Sequence, residues 1–185
     1  MILSKKEYYD YLNEDLKAFG LNRFGYKEYF THDSLRFLRR LRKIEYYTNV
    51  YPSNPFLNLY RLYLRYINHR LATRLGFTIP INIFGPGLHI VHYGTIVVST
   101  EARVGKNCRM HPGTCIGENN GAPIIGDNVY IGPGAKIFGD ITIGNDIAIG
   151  ANSVVNNSFL EKGTIAGAPA KVISSKSSIE QDLFN

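Results

Sequence analysis

From Val98 onward, an aliphatic or Met side chain returns at every sixth residue, and few folds can accommodate that interval. The phase runs through Val98, Val104, Met110 and Ile116, pauses for three extra residues, and resumes at Ile125, Ile131, Ile137, Ile143, Ile149 and Val155. Glycine follows directly at Gly105, Gly117, Gly126, Gly132, Gly144 and Gly150. Four residues after most anchors stands a second small or aliphatic side chain: Ala102, Cys108, Thr114, Val129, Ala135, Ile141, Ile147 or Ser153. Helices repeat near 3.6 residues and coiled coils at seven, so neither explains an interval of six. A parallel β-helix does, because each short strand and turn sends one anchor into a stacked core.

A different chemistry precedes the repeat. Residues 1–76 hold 14 Lys/Arg against 7 Asp/Glu, whereas residues 77–173 hold 6 of each, so the basic excess lies in the first segment. Eleven of the 13 Tyr also precede Thr73. This segment reads as helices. Ser4-Lys-Lys-Glu7 suits a capping box, with Gly20 as the stop. Asp33 or Ser34 begins a second helix to about Tyr47, with Leu35, Leu38, Leu41 and Ile44 on one stripe. Asn54-Pro55 starts a third, whose Phe56, Tyr60, Tyr63, Ile67, Leu71 and Leu75 recur at helical spacing up to Gly76. The expected organisation is a helical segment over 1–76, a β-helix over 77–173 and a polar, ill-ordered tail over 174–185. No apolar run has the roughly 18 residues of a membrane span. The polar start is unlike a signal peptide, and Cys108 and Cys115 make no disulfide framework. A cytoplasmic protein is expected.

Ile131-Gly-Pro-Gly-Ala-Lys-Ile137 and Ile149-Gly-Ala-Asn-Ser-Val-Val155 resemble the hexapeptide repeats of left-handed β-helix acyltransferases. Gly167-Ala-Pro-Ala-Lys171 is similar to the segment that closes their solenoid. Within that group the resemblance points to serine acetyltransferases and related capsule and exopolysaccharide O-acetyltransferases, over about half the chain. It implies a left-handed solenoid, a homotrimer, and acetyl-CoA as the acyl donor, without a metal.

His92-Tyr-Gly-Thr-Ile-Val-Val98 resembles the serine acetyltransferase stretch that carries the catalytic histidine. Counting back six from Val98 also lands on His92, a place otherwise held by aliphatics. The resemblance makes it a general base that takes the acceptor's hydroxyl proton, a task suited to a pKa near neutrality. The alternative is a hydrogen-bonded residue capping an irregular helix start. Val91 stands where the family carries Asp, Phe77 and Thr78 where it carries the orienting carboxylate, and Gly121-Ala122 where it carries the Arg-His pair that grips serine. A sugar or glycan hydroxyl is therefore the expected acceptor, serine the alternative, and a non-catalytic scaffold the reading from another class. The expected orienting group for His92 is a backbone carbonyl or an uncharged side chain such as Asn82.

Tyr93, His111, Glu118 and Asn119 complete the candidate acceptor site. His111 lies about one coil beyond His92 and either shapes the pocket or is an exposed turn residue. Glu118 and Asn119 fall in the three-residue insertion, which otherwise is a surface bulge. His89 and His92 form a weak metal pattern with no third ligand at a suitable spacing. For acetyl-CoA, the positions matching the family's are Pro133, Ala135 and Ala151 along the solenoid, with Gly167 and Lys171 near the nucleotide end. Residues 33–75 hold nine Lys/Arg against Asp33 and Glu45. They form either a solvated face or one attracted to anionic lipid or a lipid-linked glycan diphosphate. No nucleic-acid recognition motif accompanies the charge.

Overall fold

The computed structural model describes residues 1–184. Four helices, α1 (Lys5–Ala18), α2 (Tyr26–Thr31), α3 (Asp33–Val50) and α4 (Pro55–Leu75), precede a parallel β-solenoid. Its first face stacks β1 (Phe77–Thr78), β3 (Ile96–Val98), β6 (Cys115–Gly117), β9 (Lys136–Phe138) and β12 (Val154–Val155). The second stacks β4 (Arg103–Val104), β7 (Ile124–Ile125) and β10 (Thr142–Ile143). The third stacks β2 (His89–Ile90), β5 (Arg109–Met110), β8 (Tyr130–Ile131), β11 (Ile147–Ile149) and β13 (Gly163–Gly167). Here β14 (Ala170–Ser174) turns back antiparallel and ends the stack.

All ten sixth-residue anchors are buried, and so is every small residue four places after them. The interior is thus two aligned columns per corner unit, and burial of those side chains is the main force holding the coils together. Interruptions in the period appear as changes in register. One coil advances 18 residues from Val97 to Cys115, but the next advances 21 from Cys115 to Lys136. The three extra residues leave the solenoid between β6 and β7. Another coil advances 20 residues, from His89 to Arg109, so two extra residues lie between β2 and β3.

The helices follow their sequence signals, with two differences. Ser4 Oγ accepts from the Glu7 N–H, and the Asn54 side chain accepts from the Phe56 and Leu57 N–H groups. The α3 stripe is buried as expected, but the helix runs three residues past Tyr47, and the short α2 had no clear signal. In α4 the buried face is Leu64, Asn68, Leu71 and Leu75, while Phe56 is 88% exposed. No residue of the first turns of α4 is buried, so helical spacing alone chose the wrong residues there.

A buried ionic cluster fixes the helices to the solenoid. Arg42 on α3 is fully buried and donates to Asp15 of α1, to Glu45, and to the carbonyls of Phe84 and Gly85. Asp15 in turn accepts from the Gly87 and Leu88 N–H groups, and Glu45 from that of Asn82. Burial opposes the Arg42 charge, but Asp15 and Glu45 outweigh it and hold the guanidinium protonated. One of the basic residues that sequence assigned to a surface is therefore the joint itself.

The tail also departs from expectation. Ser177 and Ser178 are buried, and Ser178 Oγ donates to the Asn128 carbonyl. The Ser178 N–H also bonds to the Asp146 carbonyl, so the segment is tied to the solenoid at two successive coils. Its Ser-rich composition concealed hydroxyls that satisfy backbone groups.

Candidate functional site

Register places the candidate residues in a column. Ile90, Met110, Ile131, Ile149 and Ile165 are aligned strand to strand on the third face. Two residues beyond each, at the corner leading to the first face, stand His92, Pro112, Pro133, Ala151 and Gly167. Pro133, Ala151 and Gly167 are exposed, and Pro112 is half-buried. Four steps of about 4.8 Å carry this ridge roughly 19 Å down the solenoid. Small side chains leave its backbone accessible throughout. Lys171 pairs in register with Ala166, next to Gly167, and so marks the far end.

His92 heads the column because of the two extra residues. The Val91 N–H bonds to the Met110 carbonyl, and the Gly113 N–H to the Thr95 carbonyl, so three residues above span what Pro112 spans below. Gly94 lies against Pro112, at φ 142°, where an added Cβ would meet the proline Cβ at 2.9 Å. His92 and Tyr93 are consequently pushed outward, and Tyr93 is 71% exposed. His92 is exposed too, not an inward anchor. Counting back six failed there, since Ile90 takes the inward place and the corner bulges between it and Ile96.

Two further imidazoles stand beside it. His89, on the outer surface of the third face, packs against the Phe19 ring at 4.5 Å. Burial, with nearby Arg109, His111 and His92, pushes its pKa down to about 4. His111 packs on Tyr130 at 5.0 Å, and burial together with Arg109 and His92 lowers its pKa as well. Buried His111 Nε2 and His89 Nδ1 have no hydrogen-bond partner. His92 thus borders two rings held neutral. No group of three or more His, Cys, Asp or Glu among the described residues is arranged to hold a metal.

Other expected site residues lie elsewhere. Asn82 does not orient His92: its side chain exchanges hydrogen bonds with Asn49, and its N–H reaches Glu45. Its left-handed backbone, φ 65°, belongs to the joint between helices and solenoid. Ala135 is fully buried, facing the core, so only its backbone is available to a ligand. Glu118 accepts from Ser99 Oγ at 2.8 Å, and the Asn119 N–H bonds to the Gly121 carbonyl. Gly121, at φ 135°, passes so near Asp140 that a Cβ would approach it to 2.5 Å. This loop occupies the corner between the first and second faces, across the first face from His92.

The loop borders a cavity of about 580 Å³ lined by Glu101, Arg103, Glu118, Asn120, Gly121, Ala122 and Ile124. Arg103 was not anticipated. It supplies a cation beside the loop that lacks one at Gly121-Ala122, and donates to the Thr100 and Ala102 carbonyls. The available signal was its place just before the anchor Val104, an outward position of the repeat.

Comparisons agree with this architecture. Residues 122–157 match the family "Bacterial transferase hexapeptide (six repeats)". The chain is 38% identical over 94 residues to the serine acetyltransferase of Staphylococcus xylosus, covering 48% of this chain and 44% of that one. Against the Mycobacterium tuberculosis serine acetyltransferase it is 34% identical over 99 residues, covering 51% and 43%. It spans less than half the length of these curated relatives. The structure of Brucella abortus serine acetyltransferase in complex with coenzyme A aligns with TM-score 0.74 and 25% identity, over 94% of this chain and 70% of that one. The soybean serine acetyltransferase apoenzyme gives 0.74 and 25%, over 91% and 70%. The solenoid sequence and the overall fold resemble those of serine acetyltransferases.

Proposed function

We propose that this protein is an acetyl-CoA-dependent O-acetyltransferase, with His92 as general base. The observation that carries the reading is the column itself: an exposed histidine heads a ridge of small residues ending near a lysine. An extended thiol arm laid along Pro133, Ala151 and Gly167 brings its acetyl end toward His92. Lys171, and backbone groups near Gly167, meet the phosphates at the other end. His92 takes the acceptor's hydroxyl proton as that oxygen attacks the thioester carbonyl. The C–O bond forms, the C–S bond breaks, and the imidazolium returns the proton to the departing thiolate. The lowered pKa values of His89 and His111 make both rings weaker bases than an ordinary imidazole, so neither competes strongly for that proton.

Serine is the acceptor we propose. The relatives that resemble this chain are serine acetyltransferases, and the Neisseria gonorrhoeae enzyme has been solved in complex with serine. Arg103 offers the cation for a carboxylate, with Glu101 and Glu118 for an ammonium group. This weakens the sequence argument that turned on Gly121-Ala122. A sugar hydroxyl is the second reading, favoured by those two residues and by the missing carboxylate beside His92. Because His92 and the loop occupy different corners, the site is completed when one copy's loop meets another copy's His92, as a closed trimer permits. The solenoid presents Ile124, 55% exposed, on the second face for such a contact. Among the described residues no helix is long and apolar enough to cross a membrane. We place the reaction in the cytoplasm, where acetyl-CoA is made, and assign the basic helices no essential lipid contact.

Thiol release from acetyl-CoA, measured with L-serine and with a panel of sugars and sugar nucleotides, decides the acceptor. Saturable turnover with L-serine supports the first reading. Turnover only with a sugar supports the second, and inactivity throughout with no CoA binding supports a scaffold.

A further inference from the structure

A cavity of about 650 Å³ lies between the helical segment and the first solenoid face, and His92 is not part of its wall. Phe37, Leu41 and Ile44 of α3 line it together with Phe77 and Ile79, and the Phe37 and Phe77 rings meet edge to face at 5.3 Å. Into this apolar space α4 presents Asn68. The residue is 95% buried (5% exposed), and its Oδ1 has no hydrogen-bond partner. A carboxamide oxygen shut away from water without a partner is costly, and an aliphatic side chain in its place would avoid that cost. At the rim stand Arg65 and His69, both exposed. Among the described residues no carboxylate lies within ion-pair distance of Arg65.

These three features define complementary chemistry. The walls ask for an apolar body, Asn68 Oδ1 for an O–H or N–H donor within it, and Arg65 for an anionic end. Cavities of this size and character are typical of small-molecule sites. We propose that this cavity binds an amphiphilic carboxylate bearing a hydroxyl or amide N–H along its chain, at a site separate from the transferase chemistry. Asn68 reads the donor and Arg65 the carboxylate. Sites built to hydrogen-bond a hydroxyl discriminate against analogues that lack it, since the buried partner is then stranded.

The experiment uses 3-hydroxydecanoate and decanoate as probes, titrated calorimetrically into the full-length protein below their micellar concentrations. The expected result is saturable binding of both, with 3-hydroxydecanoate about tenfold tighter, the effect of one hydrogen bond to a buried group. Asn68→Leu should erase that preference while raising the melting temperature of the unliganded protein. Arg65→Gln should weaken both probes in parallel. Absence of saturable binding overturns the proposal. So does equal affinity of the two probes, or a preference that survives in Asn68→Leu. A fall in melting temperature for Asn68→Leu would mark Asn68 as a structural residue and also overturn it. Because binding is read without acetyl transfer, the result stands apart from the fate of the His92 assignment.

Discussion

Replacing Arg42 by Met removes the cation from a cluster whose three charged side chains are buried. Asp15 keeps the N–H groups of Gly87 and Leu88, and Glu45 keeps that of Asn82. Both carboxylates lose their countercharge, and the Phe84 and Gly85 carbonyls lose a donor. Breaking a buried pair by removing one partner costs about 3–5 kcal/mol. Stranding two carbonyls adds roughly 1 kcal/mol each, partly offset by the apolar methionine stem. The expected loss is about 4–6 kcal/mol. At roughly 2–4 °C per kcal/mol for a chain of this size, the melting temperature should fall by about 10–20 °C. Thermal unfolding followed by circular dichroism, at one fixed protein concentration, measures it. A companion with Arg42→Met, Asp15→Asn and Glu45→Gln removes the unpaired charges and should recover a third to a half of that loss. A single-variant loss below about 1 kcal/mol would refute the reasoning. A companion no more stable than Arg42→Met would show that stranded charge was not the cause.

Other consequences concern the site. Ala151→Tyr places a bulky ring on the exposed ridge and should raise the KM for acetyl-CoA at least about tenfold, with the melting temperature nearly unchanged; a KM within twofold of wild type would remove the ridge from the donor path. Arg103→Gln should raise the KM for L-serine by about tenfold and leave that for acetyl-CoA alone, the signature of a lost carboxylate contact. His89 is held neutral in the fold, so below its ordinary pKa of 6.5 the unfolded chain binds the extra proton. Stability should therefore decline from pH 6.5 toward pH 4, by at most about 3 kcal/mol and less where water screens the ring. In denaturant titrations His89→Phe should flatten that decline, and an unchanged pH profile would exclude His89 as its source.

The interior of the solenoid was legible because each anchor obeys a rule local to six residues. Val104, Met110 and Ile131 needed no knowledge of their partners to be placed inside. The corner at His92 was misread for the same reason. A two-residue bulge resets the phase, and only the pairing of Ile90 with Met110 reveals it. Asn82 and Arg42 defeated sequence reasoning in another way. Their roles depend on Asn49, Asp15 and the 84–88 backbone, contacts made across the joint between helices and solenoid. Pro133, Ala151 and Gly167 were selected by resemblance, yet their alignment beneath His92 is a property of the register alone. Arg103 went unnoticed because an outward residue of a repeat acquires meaning only from the loop that the next coil folds beside it.

The central claim is that His92, at the head of this ridge, accepts the acceptor's proton. The direct measurement is the steady-state rate of thiol release from acetyl-CoA by His92→Ala, with the preferred hydroxyl acceptor, beside the wild-type protein. Acetyl-CoA affinity and melting temperature of the two should match, since the side chain is exposed. The account predicts a rate lower by about 10²–10⁴. A rate within a few-fold of wild type, with folding and CoA binding intact, would contradict it.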